Sequence, residues 1–132
     1  MEFDHVYGLL AKSCGLSETE YWALLLIGEG GETQREISEQ LSLSRQTLNS
    51  AVKLLVRKGL VQLEAFAENQ RSKRLGLTNA GRQFVETTVA RTSRLEAEAW
   101  ETLSAAEQAA LVDLTHRFSA ALRHALQAGG NN

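Results

Sequence analysis

Proline is absent from this chain of 132 residues. The commonest interrupter of helices is therefore missing, and a mainly helical protein is expected. Cysteine occurs once, as Cys14, which excludes an internal disulfide and a cysteine-rich zinc site. The longest apolar run, Trp22 to Ile27, falls far short of the roughly 20 residues that cross a bilayer. The opening Met1-Glu2-Phe3-Asp4 lacks the basic-then-apolar order of a secretory signal, so a cytoplasmic protein that uses no membrane is expected. Histidines are few: His116 and His124 stand eight positions apart and His5 stands alone, which suits no helical metal site. No Ser-His or Cys-His arrangement and no glycine-rich phosphate loop can be read, so neither an enzyme nor a bound cofactor is expected. With 43% apolar and 23% charged residues, the remaining composition is that of one globular domain over 1–132.

Charge is scarce overall but unevenly placed. The formal net charge is −2, yet residues 44–82 hold eight basic side chains against two acidic ones. The rest of the chain is acidic. Because fields are screened beyond about 10 Å at moderate salt, a basic centre on an acidic chain suffices to meet a phosphate backbone.

Helix starts are marked by Ser17-x-x-Glu20, Thr33-x-x-Glu36 and Ser104-x-x-Glu107, each a capping-box pattern. An earlier helix over 2–13 carries Phe3, Val6, Tyr7 and Leu10 at helical spacing and stops at Gly15. Helices are then expected at 18–28, 34–41 and from Ser44 to Lys58, where Gly59 supplies the C-terminal cap. Val61 to Phe66 alternates as a half-buried strand, Leu75 to Leu77 gives a second, and the polar stretch Ala67 to Arg74 reads as the loop between them. Thr78 starts a helix over about 79–101, with Phe84, Val85, Val89 and Leu95 in a stripe. A last helix over about 105–127 shows Leu111, Leu114, Phe118, Leu122 and Ala125.

Residues 33–55 read as a helix-turn-helix in which Ile37, Leu41, Leu43, Leu48, Val52 and Leu55 share a core. If Leu48, Ala51, Val52 and Leu55 face inward, Arg45, Gln46, Asn49, Ser50 and Lys53 face outward behind the capping Ser44. Arginine grips guanine edges, glutamine and asparagine pair with adenine, and lysine neutralises phosphate, so this face suits a major groove. Any surface helix is polar outside. The decisive addition is the hairpin that follows, with Arg71, Lys73 and Arg74 at its tip, which makes a winged helix-turn-helix whose wing reaches the minor groove or the backbone.

Ile37-Ser38-Glu39-Gln40-Leu41, Ser44-Arg45, Leu55-x-x-Lys58-Gly59-Leu60-Val61, Arg71-Ser72-Lys73-Arg74 and Leu77-Thr78-x-x-Gly81-Arg82 together resemble the MarR family of bacterial transcriptional regulators. The fold the resemblance implies is mainly α with a small β-hairpin wing: a DNA-binding region at 17–82 flanked by dimerisation helices at 2–13 and 79–127. It implies a homodimer on a double-stranded, pseudo-palindromic operator, acting as a repressor that a small aromatic or apolar effector releases. The uncovered apolar stripes of the terminal helices support the dimer independently. Many members carry an aspartate and two arginines at the wing tip; here Asn69, Gln70 and Arg71 stand there, so Arg71 alone is carried over as a minor-groove contact.

The resemblance further places an effector between the winged domain and the dimer helices, where Tyr7, Trp22, Phe84 and Trp100 are candidates. Aromatic residues mostly serve packing, and that is the competing role of each. One branch of the family senses peroxides through a cysteine in the first helix, which makes Cys14 a redox candidate. Lys12 is its only basic neighbour in sequence, and a plain structural role is favoured. The alternatives to a ligand-released repressor are thus a redox regulator using Cys14 and a winged-helix protein-interaction module without DNA binding.

Overall fold

The computed structural model describes residues 2–65 and 73–129. It divides into two compact units, Met1–Ala90 and Arg91–Asn132. The first contains α1 (Glu2–Ser13), α2 (Glu18–Gly28), α3 (Gln34–Leu41), α4 (Arg45–Arg57), β1 (Val61–Ala65) and β2 (Lys73–Leu77). Helix α5 (Asn79–Glu101) begins there and ends in the second unit, which also holds α6 (Ala105–Gly129).

Helix α2 is apolar nearly all round, as a helix surrounded by other elements must be. Tyr21, Ala23, Leu24 and Ile27 are buried, and Trp22, Leu25 and Leu26 lie half-buried against the same core. Ile37 from α3, Leu48, Val52 and Leu55 from α4, and Val61 and Leu75 from the hairpin complete it. Leu41 and Leu43 sit at its margin, half-buried. The inward face expected of α4 is therefore the observed one.

Helix ends follow the sequence closely because their caps are local chemistry. At α2 the Ser17 hydroxyl accepts from the Glu20 amide at 3.2 Å while the Glu20 carboxylate accepts from the Ser17 amide at 3.1 Å. Ser104 and Glu107 form the same reciprocal pair, at 3.1 and 2.8 Å. The Thr33 box is different. Thr33 Oγ1 accepts from the Glu36 amide, but the Glu36 carboxylate reaches one residue further back, to the amide of Glu32 at 3.2 Å. Gly15 and Gly59 close α1 and α4 with φ of +79° and +78°, a region that costs glycine no Cβ clash.

Four expectations need correction. Helix α4 ends at Arg57 with Lys58 as its cap, and α6 runs on to Gly129. Among the described side chains of α1 the buried one is Ala11, while Val6 and Leu9 face solvent and Tyr7 and Leu10 are half-buried; the side chain of Phe3 lies outside the described ones. Strand β2 starts at Lys73, two residues before the expected Leu75, because Ala65↔Lys73 and Glu64↔Arg74 pair in the antiparallel ladder. Lys73 and Arg74 are thus strand residues, not part of a loop; Phe66 and the rest of the expected tip lie outside the described residues.

In the second unit no described residue is buried. Leu111, Leu114 and Leu122 are exposed, Phe118 to 71% and Leu126 to 69%. Large exposed apolar patches in proteins generally mark interaction surfaces.

Candidate nucleic-acid interface

Both ends of α4 are pinned. At its start Ser44 Oγ accepts from the Thr47 amide at 3.1 Å and donates to Thr47 Oγ1 at 2.8 Å. The turn before it places Ser42 in the left-handed region at φ 54°, with the Leu43 amide donating back to Ser38 carbonyl at 2.9 Å. At its end the Leu60 amide donates to Leu55 carbonyl at 3.0 Å, and Thr78 Oγ1 donates to Gly59 carbonyl at 2.6 Å. The Gly81 amide, in the first turn of α5, in turn donates to Thr78 Oγ1 at 2.9 Å. The helix is thereby fixed to the core by local bonds that leave its outer face free of structural duty.

That outer face carries Arg45, Gln46, Ser50 and Lys53, all exposed, with Asn49 half-buried beside them. Ser50 Oγ donates to the Gln46 carbonyl at 3.0 Å. No acidic residue occurs anywhere in α4, so no carboxylate within the helix neutralises Arg45 or Lys53. Donors, acceptors and positive charge share one exposed face of the helix, a combination chemically suited to base edges and phosphates in a major groove.

The hairpin beside it has two chemically distinct faces. Val61 and Leu75 are buried on the inner one, and alternation places Lys73 in the same series, exposed beyond the core. Arg74, one position on, shares the outer face with its cross-strand partner Glu64, whose Oε1 accepts from Gln62 Nε2 at 3.0 Å. Arg74 Nη2 lies 2.5 Å from Glu32 Oε1. Arg71, Asn69 and Gln70 lie outside the described residues, so the expected minor-groove contact has no geometry here.

Not every basic residue of 44–82 faces outward as free charge. Lys58 Nζ lies 2.6 Å from the Glu20 carboxylate, which is buried to within 4%, and 3.3 Å from Gly15 carbonyl. Burial pushes the Glu20 carboxyl upward, but hydrogen bonds from Lys58 and Ser17 outweigh it and hold its pKa below the ordinary value. Both the Lys58 and Arg74 partners come from outside the basic stretch, so its effective charge is smaller than composition suggests. The sequence does not announce the pairing of Glu20 with Lys58 or of Glu32 with Arg74, because pairs 38 and 42 positions apart carry no periodic signal.

The four aromatic candidates are not shown as one group. Tyr7 and Trp22 meet with ring centroids 5.5 Å apart, and Trp22 also meets Tyr21 edge-on at 5.2 Å. Phe84 packs, half-buried, against the core of the first unit. Trp100 belongs to the second unit, where with Val112, Asp113 and His116 it lines an open depression of about 660 Å³. Cys14 is half-buried, its Sγ 3.9 Å from Ser13 Oγ. Among the described residues no group of three or more His, Cys, Asp or Glu is placed to hold a metal ion. No described helix is long and apolar enough to cross a membrane.

Residues 15–72, from the start of α2 through α4 and into the hairpin, match the MarR family. This central segment is similar to the MarR family. A probable transcriptional regulator from Pseudomonas aeruginosa is 28% identical, with 87% of this chain and 90% of that chain superposed at a TM-score of 0.71. The PcaV transcriptional regulator from Streptomyces coelicolor, solved with its natural ligand, is 27% identical over 92% of this chain and 89% of its own, at 0.69. FabT from Streptococcus pneumoniae, solved in complex with DNA, is 20% identical over 83% and 77%, at 0.74, a likeness of fold. No curated protein sequence matches significantly. MarR-family proteins are transcriptional regulators, not enzymes, and the mainly helical fold with a two-stranded wing is the winged helix of that family.

Proposed function

We propose that this MarR-family protein is a sequence-specific repressor that binds a pseudo-palindromic operator as a homodimer and leaves it when a small aromatic or apolar molecule binds. The observation that carries the reading is the acid-free outer face of α4, where Gln46, Asn49 and Ser50 stand between Arg45 and Lys53 on a helix fixed at both ends. Ser44 contributes through the helix start that it caps, and Lys73 and Arg71 through the wing. The chain acts as one functional domain: 17–82 meets DNA, and α1, α5 and α6 meet a second copy. The complex of FabT with DNA supports the first part. The unburied apolar residues of α6 support the second.

Footprinting on genomic fragments tests the reading, and protection of a two-fold-symmetric site by a species that sediments as a dimer is the expected result. Gln46→Ala and Asn49→Ala should each lose roughly 1–3 kcal/mol of discrimination between operator and altered sites. Lys53→Ala should weaken all sequences alike and lower the salt slope by about one. Unchanged discrimination in both α4 variants, or a monodisperse monomer at micromolar concentration, refutes the assignment.

For the switch, the ligand complex of PcaV supports a small molecule, and the contacting Tyr7 and Trp22 pair is the part of the aromatic set that we retain for it. Cys14 is half-buried beside the Ser13 hydroxyl, and we read it as a structural thiol, the commoner role of a free cysteine. Wild type and Cys14→Ser should therefore hold DNA equally under low doses of organic hydroperoxide. Release of wild type alone would make Cys14 the sensor.

A further inference from the structure

Glu32 is the junction between the helix-turn-helix and the wing. Its amide donates to Glu36 Oε2 in the first turn of α3 at 3.2 Å. Its carbonyl accepts from the Leu75 amide of β2 at 2.7 Å. Its carboxylate holds Arg74 Nη2 at 2.5 Å. All three polar groups of one residue are thus engaged, one toward α3 and two toward adjacent residues of β2. A two-stranded hairpin is marginal by itself in water, so the attachment at its base decides where the wing points. The ladder register strengthens the point: Arg74 stands opposite Glu64, placing a second carboxylate on its face, whereas Lys73 alternates to the other face.

We infer that Glu32 and Arg74 form a clamp that orients the wing, and that Arg74 serves operator binding as a positioning residue while the phosphate contacts of β2 fall to Lys73. This rests on the DNA-binding reading above. An arginine that stays on its carboxylate is electrically neutral as a pair and releases no counterion from DNA, whereas a cation that meets phosphate contributes about 0.9 to the salt slope. The two roles therefore differ in a measurable quantity, independent of how much affinity each variant loses.

The experiment is the dependence of operator affinity on salt for the full chain and for Lys53→Gln, Lys73→Gln, Arg74→Gln, Glu32→Gln and the exchanged pair Glu32→Arg with Arg74→Glu. Lys53→Gln and Lys73→Gln should each lower the slope by about 0.9. Arg74→Gln and Glu32→Gln should keep the wild-type slope and weaken binding roughly 3-fold at every salt concentration, the scale of an exposed ion pair. Together they should be no worse than either alone, and the exchanged pair should regain most of the lost affinity. A slope lowered by Arg74→Gln as by Lys73→Gln, or tighter binding by Glu32→Gln as a freed Arg74 finds phosphate, would overturn the clamp. No change of slope in Lys53→Gln would instead sink the DNA-binding reading beneath it.

Discussion

Gly81→Ala should lower the stability of the Met1–Ala90 unit by about 2 kcal/mol or more, despite the gain of up to about 1 kcal/mol that alanine usually brings to a helix. A Cβ at this position would stand deep inside van der Waals contact with the Leu60 carbonyl oxygen. That oxygen cannot step aside cheaply, because it accepts from the Thr78 amide at 3.1 Å while Thr78 Oγ1 holds the neighbouring Gly59 carbonyl. Relief requires α5 to move away from the end of α4, which breaks the Thr78 bonds. Urea unfolding followed by far-UV circular dichroism checks this. A midpoint at or above that of wild type would show that the α4–α5 junction is softer than its bonds imply.

Lys58→Met should cost about 2 kcal/mol at neutral pH, below the ~3–5 kcal/mol of a fully buried pair because Lys58 keeps 38% of its side chain exposed. The loss should depend on acid in a defined direction. Glu20 has a folded pKa below its unfolded value, so its stabilisation is complete above the unfolded pKa of about 4.3 and disappears as pH falls through the folded one. Without Lys58, only the Ser17 hydrogen bonds oppose the burial of Glu20, so less of the stabilisation of its ionised form remains. The gap between wild type and variant should therefore be widest near pH 7, narrow as pH falls past the unfolded pKa and close only below the folded pKa of Glu20. Unfolding midpoints at pH 7, 5 and 4 give the test, and a gap independent of pH would mean that Lys58 acts through its aliphatic stem alone.

These two sites also show where sequence reading stops. Ser17, Ser44, Thr78 and Ser104 announce their helices because a cap needs only residues within one turn, and each is found at a helix start. Leu48, Ala51, Val52 and Leu55 announce the inner face of α4 by periodicity alone, which also fixes which side chains face outward. Periodicity says nothing of partners from another segment. Lys58 and Arg74 read as free positive charge until Glu20 and Glu32 are brought to them by the fold. Val6 satisfies the helical spacing of α1 and still faces solvent, since spacing predicts a stripe but not what covers it. The start of β2 was missed for a related reason: Lys73 and Arg74 have loop-like composition, and strand pairing with Ala65 and Glu64 overrides it.

Pinning α4 at Ser44 and at Gly59 has an evolutionary consequence. Arg45, Gln46 and Ser50 contribute nothing to the buried core, and the bonds that seat the helix come from its ends. Surface changes away from caps and cores usually stay within about 0.5 kcal/mol of neutral. On the proposed DNA-binding reading, operator preference would drift, or be redesigned, through these three positions without compensating changes elsewhere, so duplicated copies of such a gene would acquire new targets faster than a new fold.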